Sequence, residues 1–253
     1  MTPLSAVLIT LNEECHLAEA LRSVSFCDER LVVDAGSSDR TCEIAREAGA
    51  RVIVNTPWPG FVAQRRLATE RASHDWVLAL DADERITPAL REELLALAAG
   101  TPAAAGYRIP RVAFYQGRWI RATDWYPDPQ VRLFDRRRAR WEGGLVHESV
   151  KSAGPLGRLA GDLEHHPYRD ISDHLRKIDS YTSLWAEQAF LDGRRSGAWS
   201  MLGATQWAFL RNYVFKGGFR LGRAGLIVSS LNAYYTFAKL AKLAERARKA
   251  QAA

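Results

Sequence analysis

Three carboxylates follow an apolar run in the first third of the chain. The run Trp76–Leu80 leads directly into Asp81, Asp83 and Glu84. So short a run, without polar alternation, predicts a strand buried on both faces, with the acids at its carboxyl end. Asp81 and Asp83 point the same way if the backbone stays extended, and paired carboxylates suit a hard cation, Mg²⁺ or Mn²⁺, held partly by substrate phosphates. The alternative is that these acids only cap the next helix.

Two earlier strands are also expected to end in polar residues. Ala6–Leu11 is mostly apolar and precedes Asn12–Glu14, while Arg30–Asp34 runs into the turn Ala35–Asp39. Asn12 is expected to be the N-cap of the first helix. Strand and helix patterns alternate through this half of the chain, which predicts a doubly wound parallel sheet. Ligands bind at the carboxyl ends of such strands, so these polar residues are expected to share one site.

The composition and charge of the chain indicate which kinds of binding partner to expect. The chain has 253 residues, 47% of them hydrophobic, and its net charge is +6, which are globular values that favour anionic partners. Cys15, Cys27 and Cys42 lack metal-binding spacing and fit reduced thiols. The chain starts with a strand-like segment and not with a signal peptide, so we expect a cytoplasmic location. Recognised nucleic-acid-binding motifs are missing, so we expect no nucleic-acid partner.

The last third of the chain interleaves basic and aromatic residues. Its two uncharged stretches, 196–210 and 224–238, are each 15 residues long, whereas a membrane-spanning helix needs about 20. The pattern favours helices that lie in the interface of an anionic membrane. The alternative is an ordinary helical subdomain packed on the core. The residues concerned are Trp207, Phe209, Arg211, Tyr213, Phe215, Lys216, Phe219, Arg220, Arg223, Lys239 and Lys242.

The order of these motifs resembles that of a known enzyme family. The segments Leu8–Glu14, Val32–Thr41 and Leu80–Glu84 look like the nucleotide-sugar-binding half of family 2 glycosyltransferases with the GT-A fold. Segments similar to the bacterial lipopolysaccharide core β-1,4-glucosyltransferase group are Trp125–Phe134, Gly144–Glu148 and Gly218–Gly225. The resemblance implies an α/β fold with a Rossmann-like mixed sheet and a C-terminal helical, membrane-associated extension.

The resemblance implies a nucleotide pocket beyond the first two strands. Thr10, Asn12 and Glu14 would line the base and ribose, and Asp34 would accept a hydrogen bond from the nucleobase amide. An end-of-strand cap is the alternative role for Asp34. The neighbouring Ala35 stands where many relatives have a second acid, and a small residue there is typical of the core glucosyltransferase group.

The resemblance also implies a divalent metal, Mg²⁺ or Mn²⁺, on the diphosphate. Asp83 would hold it, with Asp81 nearer the ribose or the metal-bound waters. Arg65 would contact a phosphate, although many relatives carry an Asn after this basic position, and a solvated charged face is the alternative.

The acceptor hydroxyl must lose its proton to a side chain near the anomeric carbon. Glu148 is the first candidate for this base, and Asp128 is the next. His147 is a base candidate too, and as the neighbour of Glu148 it is expected to act as a metal ligand or acceptor contact.

These features predict an inverting, metal-dependent glycosyltransferase that uses a UDP-sugar, with UDP-glucose as the first candidate. Its acceptor would be a saccharide, free or lipid-linked, in lipopolysaccharide core or related cell-envelope glycan synthesis. Residues 1–170 are expected to be the catalytic domain, with 1–100 for the nucleotide sugar and 101–170 for the acceptor. Residues 171–253 would hold the enzyme peripherally on the inner face of the cytoplasmic membrane.

Other functions are kept open. One is a glycosyltransferase with a polyprenyl-phosphate or peptide acceptor, and another is a non-catalytic sugar-nucleotide-binding scaffold. A nucleotidyltransferase is disfavoured because the acids of Asn12–Glu14 would repel phosphates where that class needs a Gly-rich or basic loop.

Overall fold

The structure is a computed structural model that describes residues 1–144 and 148–252. The chain divides into two compact units. The first consists of Met1–Arg111, Pro129–Gly143 and Glu148–His165. The second contains Val112–Asp128, Gly144 and the described residues from His166 onward.

Four parallel strands form the N-terminal part of the sheet, in the order β3-β2-β1-β4. Short helices connect them because parallel neighbours need crossover connections. In the register of the sheet, Thr10 lies opposite Asp34 and Ile9 lies opposite Asp81, so the three strand ends meet at one edge as expected. The elements are β1 (Leu4–Thr10), α1 (Leu17–Ser23), β2 (Glu29–Asp34), α2 (Thr41–Glu47), β3 (Arg51–Val54), α3 (Phe61–Arg71) and β4 (Trp76–Asp81).

The sheet continues past β4 in the order β8-β6-β12-β5, and β4 pairs with β8 antiparallel. The mixed sheet implied by the resemblance is therefore confirmed, and a purely parallel sheet describes only the first four strands. The remaining elements of this part are β5 (Glu84–Ile86), α4 (Pro88–Ala99), β6 (Gly106–Tyr115), β7 (Arg118–Ile120), β8 (Asp128–Asp135), β9 (Ala139–Glu142), β10 (Ser149–Ser152), β11 (Leu156–Arg158) and β12 (Leu163–His165).

Apolar side chains cover both faces of the parallel strands. Leu8 and Leu78 belong to one buried cluster, and their neighbours Val7 and Val77 belong to another on the opposite face. Successive strand residues point to opposite faces, so an uninterrupted apolar run fills both layers. This two-sided burial leaves the strand ends as the place where polar side chains can gather.

The C-terminal helical part is confirmed: in the described residues of the second unit, the α-helices are α5 (Ile171–Leu191), α6 (Ala198–Leu210) and α7 (Gly222–Ala252). Ile171 and Leu175, although apolar, are 40% and 39% exposed at the start of α5. The buried stripe instead starts at His174, whose ring bonds the Tyr115 hydroxyl at 3.0 Å and stacks on Tyr168. Within residues 1–144 and 148–252, no helix combines the length and the apolar character needed to cross a membrane.

Two glycines let α7 pack closely on the turn before it. A Cβ on Gly225 would overlap the backbone carbonyl of Gly218, which only a hydrogen at that position avoids. We expect Gly225→Ala to lower the free energy of unfolding by about 1–3 kcal/mol, because the backbone must shift to accept the methyl group. Urea unfolding monitored by circular dichroism measures this change.

Gly203 in α6 provides the matched control. No described atom lies within 4 Å of a Cβ built there, so Gly203→Ala should stabilise the helix by about 0.5–1 kcal/mol. Equal effects of the two substitutions would contradict the close approach of Gly225 to Gly218.

Candidate active site

Asp34 ends β2 as a fully buried carboxylate. Its Oδ1 accepts from the hydroxyls of Thr10 at 2.8 Å and Ser37 at 2.5 Å, and its Oδ2 accepts from the backbone N–H groups of Gly36 and Ser37. Burial alone would raise the pKa of this carboxyl, but hydrogen bonds from Ser37, Thr10 and Gly36 outweigh it and lower the pKa. Asp34 therefore organises the turn after β2, and a nucleobase N–H would have to displace one of these donors.

Asn12 joins the two loops at the ends of β1 and β2. Its Oδ1 accepts from the backbone N–H of Ser38 at 2.9 Å, and its own N–H donates to the Ser37 hydroxyl at 2.8 Å. The prediction that Asn12 caps the first helix is wrong, because that helix begins at Leu17 with His16 as its N-cap residue. Asn12 instead has φ 55°, a left-handed conformation that Asn tolerates in turns.

Glu14 strengthens the same connection. Its Oε2 accepts from the backbone N–H of Arg40 at 3.1 Å, and its N–H donates to Asp39 at 3.2 Å. Glu14 and Asn12 are exposed, while Thr10 is buried beneath them. The residues expected to line the nucleotide thus form one preorganised rim at the carboxyl edge.

Asp81 and Asp83 do not share an extended backbone. Asp81 is the last residue of β4, residues 82–83 form a turn, and Glu84 opens β5. The prediction that the two aspartates point the same way is therefore wrong, because the alternation of side chains is lost in a turn. The capping alternative is also wrong, since the hydroxyl of Thr87 caps α4.

A buried charge network fixes Asp81. Arg132, 4% exposed, donates to Asp81 Oδ2 at 2.6 Å and to Glu84 Oε1 at 2.5 Å. Glu84 is fully buried and also accepts from Arg111 at 3.0 Å and from the backbone N–H of Asp81. Burial disfavours the charged forms of Asp81 and Arg132. The guanidiniums of Arg132, Arg65 and Arg111 nevertheless hold the pKa of Asp81 well below its usual range. The pKa of Arg132 is raised by the same carboxylates, against burial.

Arg65, on α3, links this network to Glu148. It donates to Asp81 Oδ1 at 2.6 Å, and Glu148 Oε1 lies 3.8 Å from the same nitrogen. Its guanidinium packs over the ring of Trp141 at 4.7 Å, and its side chain is 7% exposed. The alternative of a solvated charged face is therefore wrong for Arg65. Both oxygens of Asp81 are engaged by arginines, so this geometry favours Asp83 over Asp81 as a direct metal ligand.

Asp83 lies in the turn, next to an imidazole. His165 Nε2, at the end of β12, is 3.5 Å from Asp83 Oδ2, and the two side chains are 16% and 17% exposed. Among the described residues, no group of three or more His, Cys, Asp or Glu side chains forms a metal-binding cluster. Any cation held here would therefore need oxygen ligands from the substrate.

The other two base candidates are His147 and Asp128. His147 lies outside the described residues. Asp128, half-buried, is the first residue of β8 in the second unit. Of the three predicted base candidates, Glu148 is the one whose described contacts reach Asp81, through Arg65.

The arrangement combines three chemical capacities at one edge of the first unit. A rim of ordered loops offers polar groups to a nucleotide, Asp83 and His165 offer donors to a cation, and Glu148 offers a carboxylate, 24% exposed, that can accept a proton. The buried arginines keep Asp81 ionised and fixed in place.

Sequence reasoning did not single out three members of the site. Arg111, Arg132 and His165 come from β6, β8 and β12, far along the chain from Asp81. Arg132 lies inside a segment that supported the family resemblance, which was the available signal. His165 had none, because its position depends on the pairing of β12 with β5.

Comparisons with known proteins identify the family of the chain. The family described as "Glycosyl transferase family 2" matches residues 5–154. The lipopolysaccharide core biosynthesis glycosyltransferase LpsC of Rhizobium meliloti (strain 1021) is 32% identical over 96% of this chain and 93% of its own length. An uncharacterized glycosyltransferase of Rickettsia typhi (strain ATCC VR-144 / Wilmington) is 30% identical over 99% of this chain and 90% of its own.

Among solved structures, glucosyl-3-phosphoglycerate synthase from Mycobacterium tuberculosis, in complex with Mn²⁺, UDP and glucosyl-3-phosphoglycerate, is 28% identical over 46% of this chain and 45% of that chain, with a TM-score of 0.35. At that score the superposition does not support the transfer of residue roles. The match of the family over residues 5–154 and the near full-length relatives do decide the classification: this chain belongs to glycosyl transferase family 2, and it is a glycosyltransferase.

Proposed function

We propose that this glycosyltransferase transfers glucose from UDP-glucose to a saccharide acceptor in lipopolysaccharide core synthesis, with inversion at the anomeric carbon. The reaction class follows from the family, and the pathway is supported by the similarity to LpsC over 96% of the chain. The observation that carries the catalytic part is the link from Asp81 through Arg65 to Glu148 at the edge where the strands end.

The donor nucleotide is proposed to sit on the rim formed by the loops after β1 and β2. Thr10, Asn12, Glu14 and Asp34 would surround the base and ribose. Asp34 already accepts four hydrogen bonds. A nucleobase N–H that binds Asp34 would therefore replace one of these donors, while the turn keeps its shape. Such a site requires little reorganisation when the nucleotide binds.

A divalent cation, Mg²⁺ or Mn²⁺, is proposed to bind beside Asp83. The residues fit such an ion, because Asp83 presents a partly exposed carboxylate in a turn whose other acids are neutralised by arginines. When bound, the cation neutralises charge on the leaving diphosphate as a Lewis acid. Asp81 would act near the ribose or the metal-bound waters while it holds Arg65 and Arg132 in place. Arg65 would add positive charge near the phosphates.

Glu148 is proposed to take the proton of the acceptor hydroxyl as that oxygen attacks the anomeric carbon. A single base and direct displacement lead to inversion, and a second carboxylate nucleophile is not needed. Arg65, 3.8 Å away, restricts where the Glu148 carboxylate can lie. His147 would contact the acceptor beside Glu148, and Asp128 is the second candidate for the base.

The proposed division of labour follows the chain. Residues 1–100 would bind the nucleotide sugar, residues 101–170 the acceptor, and residues 171–253 would form a helical extension. We propose a cytoplasmic location for the enzyme, peripheral on the inner face of the cytoplasmic membrane, where a lipid-linked acceptor is accessible.

The proposal that the enzyme binds the membrane surface is supported by exposed aromatic residues of the second unit. α6, which lies wholly within the described chain, has no fully buried side chain. Trp199 and Phe215 are 86% and 70% exposed. Aromatic groups beside basic residues suit the interface of an anionic membrane.

Vesicle binding tests this surface. The full chain is expected to bind phosphatidylglycerol vesicles at low salt and to lose binding as salt screens the charges. Replacing Trp199 and Phe215 together by Ala should weaken binding at least about 10-fold, because each buries apolar area in the interface. Trp58→Ala, on a 39% exposed tryptophan of the first unit, is the control and should bind as before. Equal binding by the wild type and the two variants in a vesicle sedimentation assay would show that Trp199 and Phe215 do not contribute to membrane binding.

A donor panel tests the proposed reaction. UDP-, GDP- and ADP-sugars are incubated with the enzyme, and release of the nucleoside diphosphate is measured with Mg²⁺, with Mn²⁺ and with EDTA. We expect release from UDP-glucose above all, and only with a metal present. Preference for a GDP- or ADP-sugar, or turnover that EDTA leaves unchanged, would overturn the proposed donor or metal.

A further inference from the structure

A groove with a volume of about 500 Å³ runs between α6 and α7 in the second unit. Its walls are mostly apolar, and among the described residues no charged side chain lines it. Cavities that bind small molecules commonly have volumes of about 300–1,000 Å³ and apolar walls. The apolar lining residues are Phe209 and Leu210 from α6 and Ala233, Tyr234 and Phe237 from α7.

One face of α7 forms a wall of the groove while another part of the helix packs on α5. The lining positions of α7 have the i, i+3, i+4, i+7 spacing of a helical stripe. The contact with α5 lies further along α7, where Leu243 is buried with Ala186 and Ala189. Leu210 and Phe237, on the two walls of the groove, are each 46% exposed. An apolar surface this open to water indicates a binding site.

The walls of the groove suit a ligand without hydrogen-bonding groups. Thr205, a polar lining residue, already donates its hydroxyl to the carbonyl of Met201 at 2.7 Å. A peptide in the groove would bring backbone N–H and C=O groups that need partners when they leave water. An acyl chain has no such groups, so it fits these walls better than a peptide does.

The charge of the surrounding chain selects the kind of apolar ligand. Residues 193–244 contain eight Lys or Arg residues and no Asp or Glu. Two of the eight, Arg211 and Lys242, pair with acids from outside this stretch. The remaining excess of positive charge favours an anionic lipid. It disfavours a second copy of this chain, because two copies would bring like charges together.

The basic residues also suggest which end of the groove receives the headgroup. Leu210 precedes the connection between α6 and α7, and Ser230 follows it, so one end of the groove lies toward this connection. Lys216 is in the connection and Arg223 is in the first turn of α7. A phosphate near these two residues would leave its acyl chain to run along the helices.

We propose that the groove between α6 and α7 binds one acyl chain of an anionic phospholipid, with the phosphate near Lys216 and Arg223. The proposal rests on the membrane location given under the proposed function and adds a defined lipid site to it. Helices in a membrane interface gain affinity from the apolar area that they bury among acyl chains. A chain held between α6 and α7 would also set the orientation of these two helices on the membrane.

Photo-crosslinking from the lipid tests the groove. The full chain is bound at low salt to phosphatidylglycerol vesicles that contain a trace of phosphatidylglycerol with a diazirine on its acyl chain. Mass spectrometry then identifies the labelled residues, and labelling is expressed per bound protein. We expect labels on Phe209 and Tyr234. Replacing Leu210 and Phe237 together by Gln should lower this labelling at least about 10-fold, because polar side chains in the walls disfavour an apolar ligand.

Leu226→Gln is the matched control. Leu226 lies on α7, is 47% exposed and is outside the lining of the groove. Its substitution should leave the labelling of Phe209 and Tyr234 near that of the wild type. Circular dichroism of both variants checks that the helices are retained.

Four results would overturn the proposal. Labels confined to Trp199 and Phe215 would reduce the lipid contact to the membrane surface, and the membrane location would stand. Equal labelling of the groove in the wild type and the double variant would exclude the groove as the lipid site. A wild-type dimer that the double variant converts to a monomer in light scattering would assign the groove to contact between copies. If the wild type binds no vesicles, the lipid site and the proposed membrane location fail together.

Discussion

Glu148→Gln is expected to lower the rate of sugar transfer by about 10²–10⁴, the usual cost of removing a general base. The substitution keeps the size of the side chain and most of its hydrogen-bonding capacity, but an amide cannot take the proton of the acceptor hydroxyl. The affinity for UDP should stay within about twofold, because the nucleotide rim belongs to the loops after β1 and β2. Initial rates with saturating donor and acceptor, together with calorimetric titration of UDP, measure both quantities.

Glu142→Gln is the matched control for this prediction. Glu142 ends β9, is paired with the exposed Arg140, and lies outside the charge network around Asp81. Its substitution should leave the transfer rate near that of the wild type. Near-normal turnover of Glu148→Gln would show that the base is elsewhere, and Asp128→Asn would then be the next variant to measure.

Arg132→Met is expected to destabilise the fold by about 3–5 kcal/mol, the cost of leaving buried carboxylates without their partner. Arg132 contacts both Asp81 and Glu84 and is 4% exposed, so water cannot replace it.

The ionised form of Asp81 is favoured by the arginines. The contribution of ionised Asp81 to the free energy of unfolding is therefore present above the ordinary aspartate pKa of about 4. This contribution is lost as the pH falls toward the lower pKa that Asp81 has in the folded protein. The difference between wild type and variant should be largest near neutral pH and should narrow below about pH 4.

Arg140→Met is the same substitution at an exposed ion pair. The side chain of Arg140 is 78% exposed and bonds Glu142, so a change of at most about 0.5 kcal/mol is expected. Urea unfolding of both variants at neutral and acidic pH makes the comparison. Similar losses for Arg132→Met and Arg140→Met would show that the buried network does not hold the site together.

Much of the carboxyl edge could be predicted from the sequence because it depends on local patterns. Apolar runs gave β1, β2 and β4, and parallel pairing then brings Thr10, Asp34 and Asp81 to one edge. The local geometry at that edge was harder to predict. Whether Asp83 continues a strand or enters a turn depends on how β5 pairs, and the alternation rule failed at that point.

The partners of the acids could not be predicted from the sequence. Arg132 reaches Asp81 through the antiparallel pairing of β8 with β4, and His165 reaches Asp83 through the pairing of β12 with β5. Such long-range pairs leave no periodic signal in the sequence. Burial of Arg65 was missed for a similar reason, because its counter-charges lie on β4 and just before β10 and its stacking partner Trp141 lies on β9.

The structure of the product shows whether the enzyme transfers glucose with inversion. UDP-glucose and a core saccharide that lacks its terminal glucose are incubated with the enzyme and Mn²⁺, and the product is examined by proton NMR. We expect UDP release in step with a new glucoside whose large H1–H2 coupling identifies a β-linkage, since the donor is the α-anomer. An α-linked product would contradict inversion, and release of free glucose alone in the presence of this acceptor would contradict the proposed transfer.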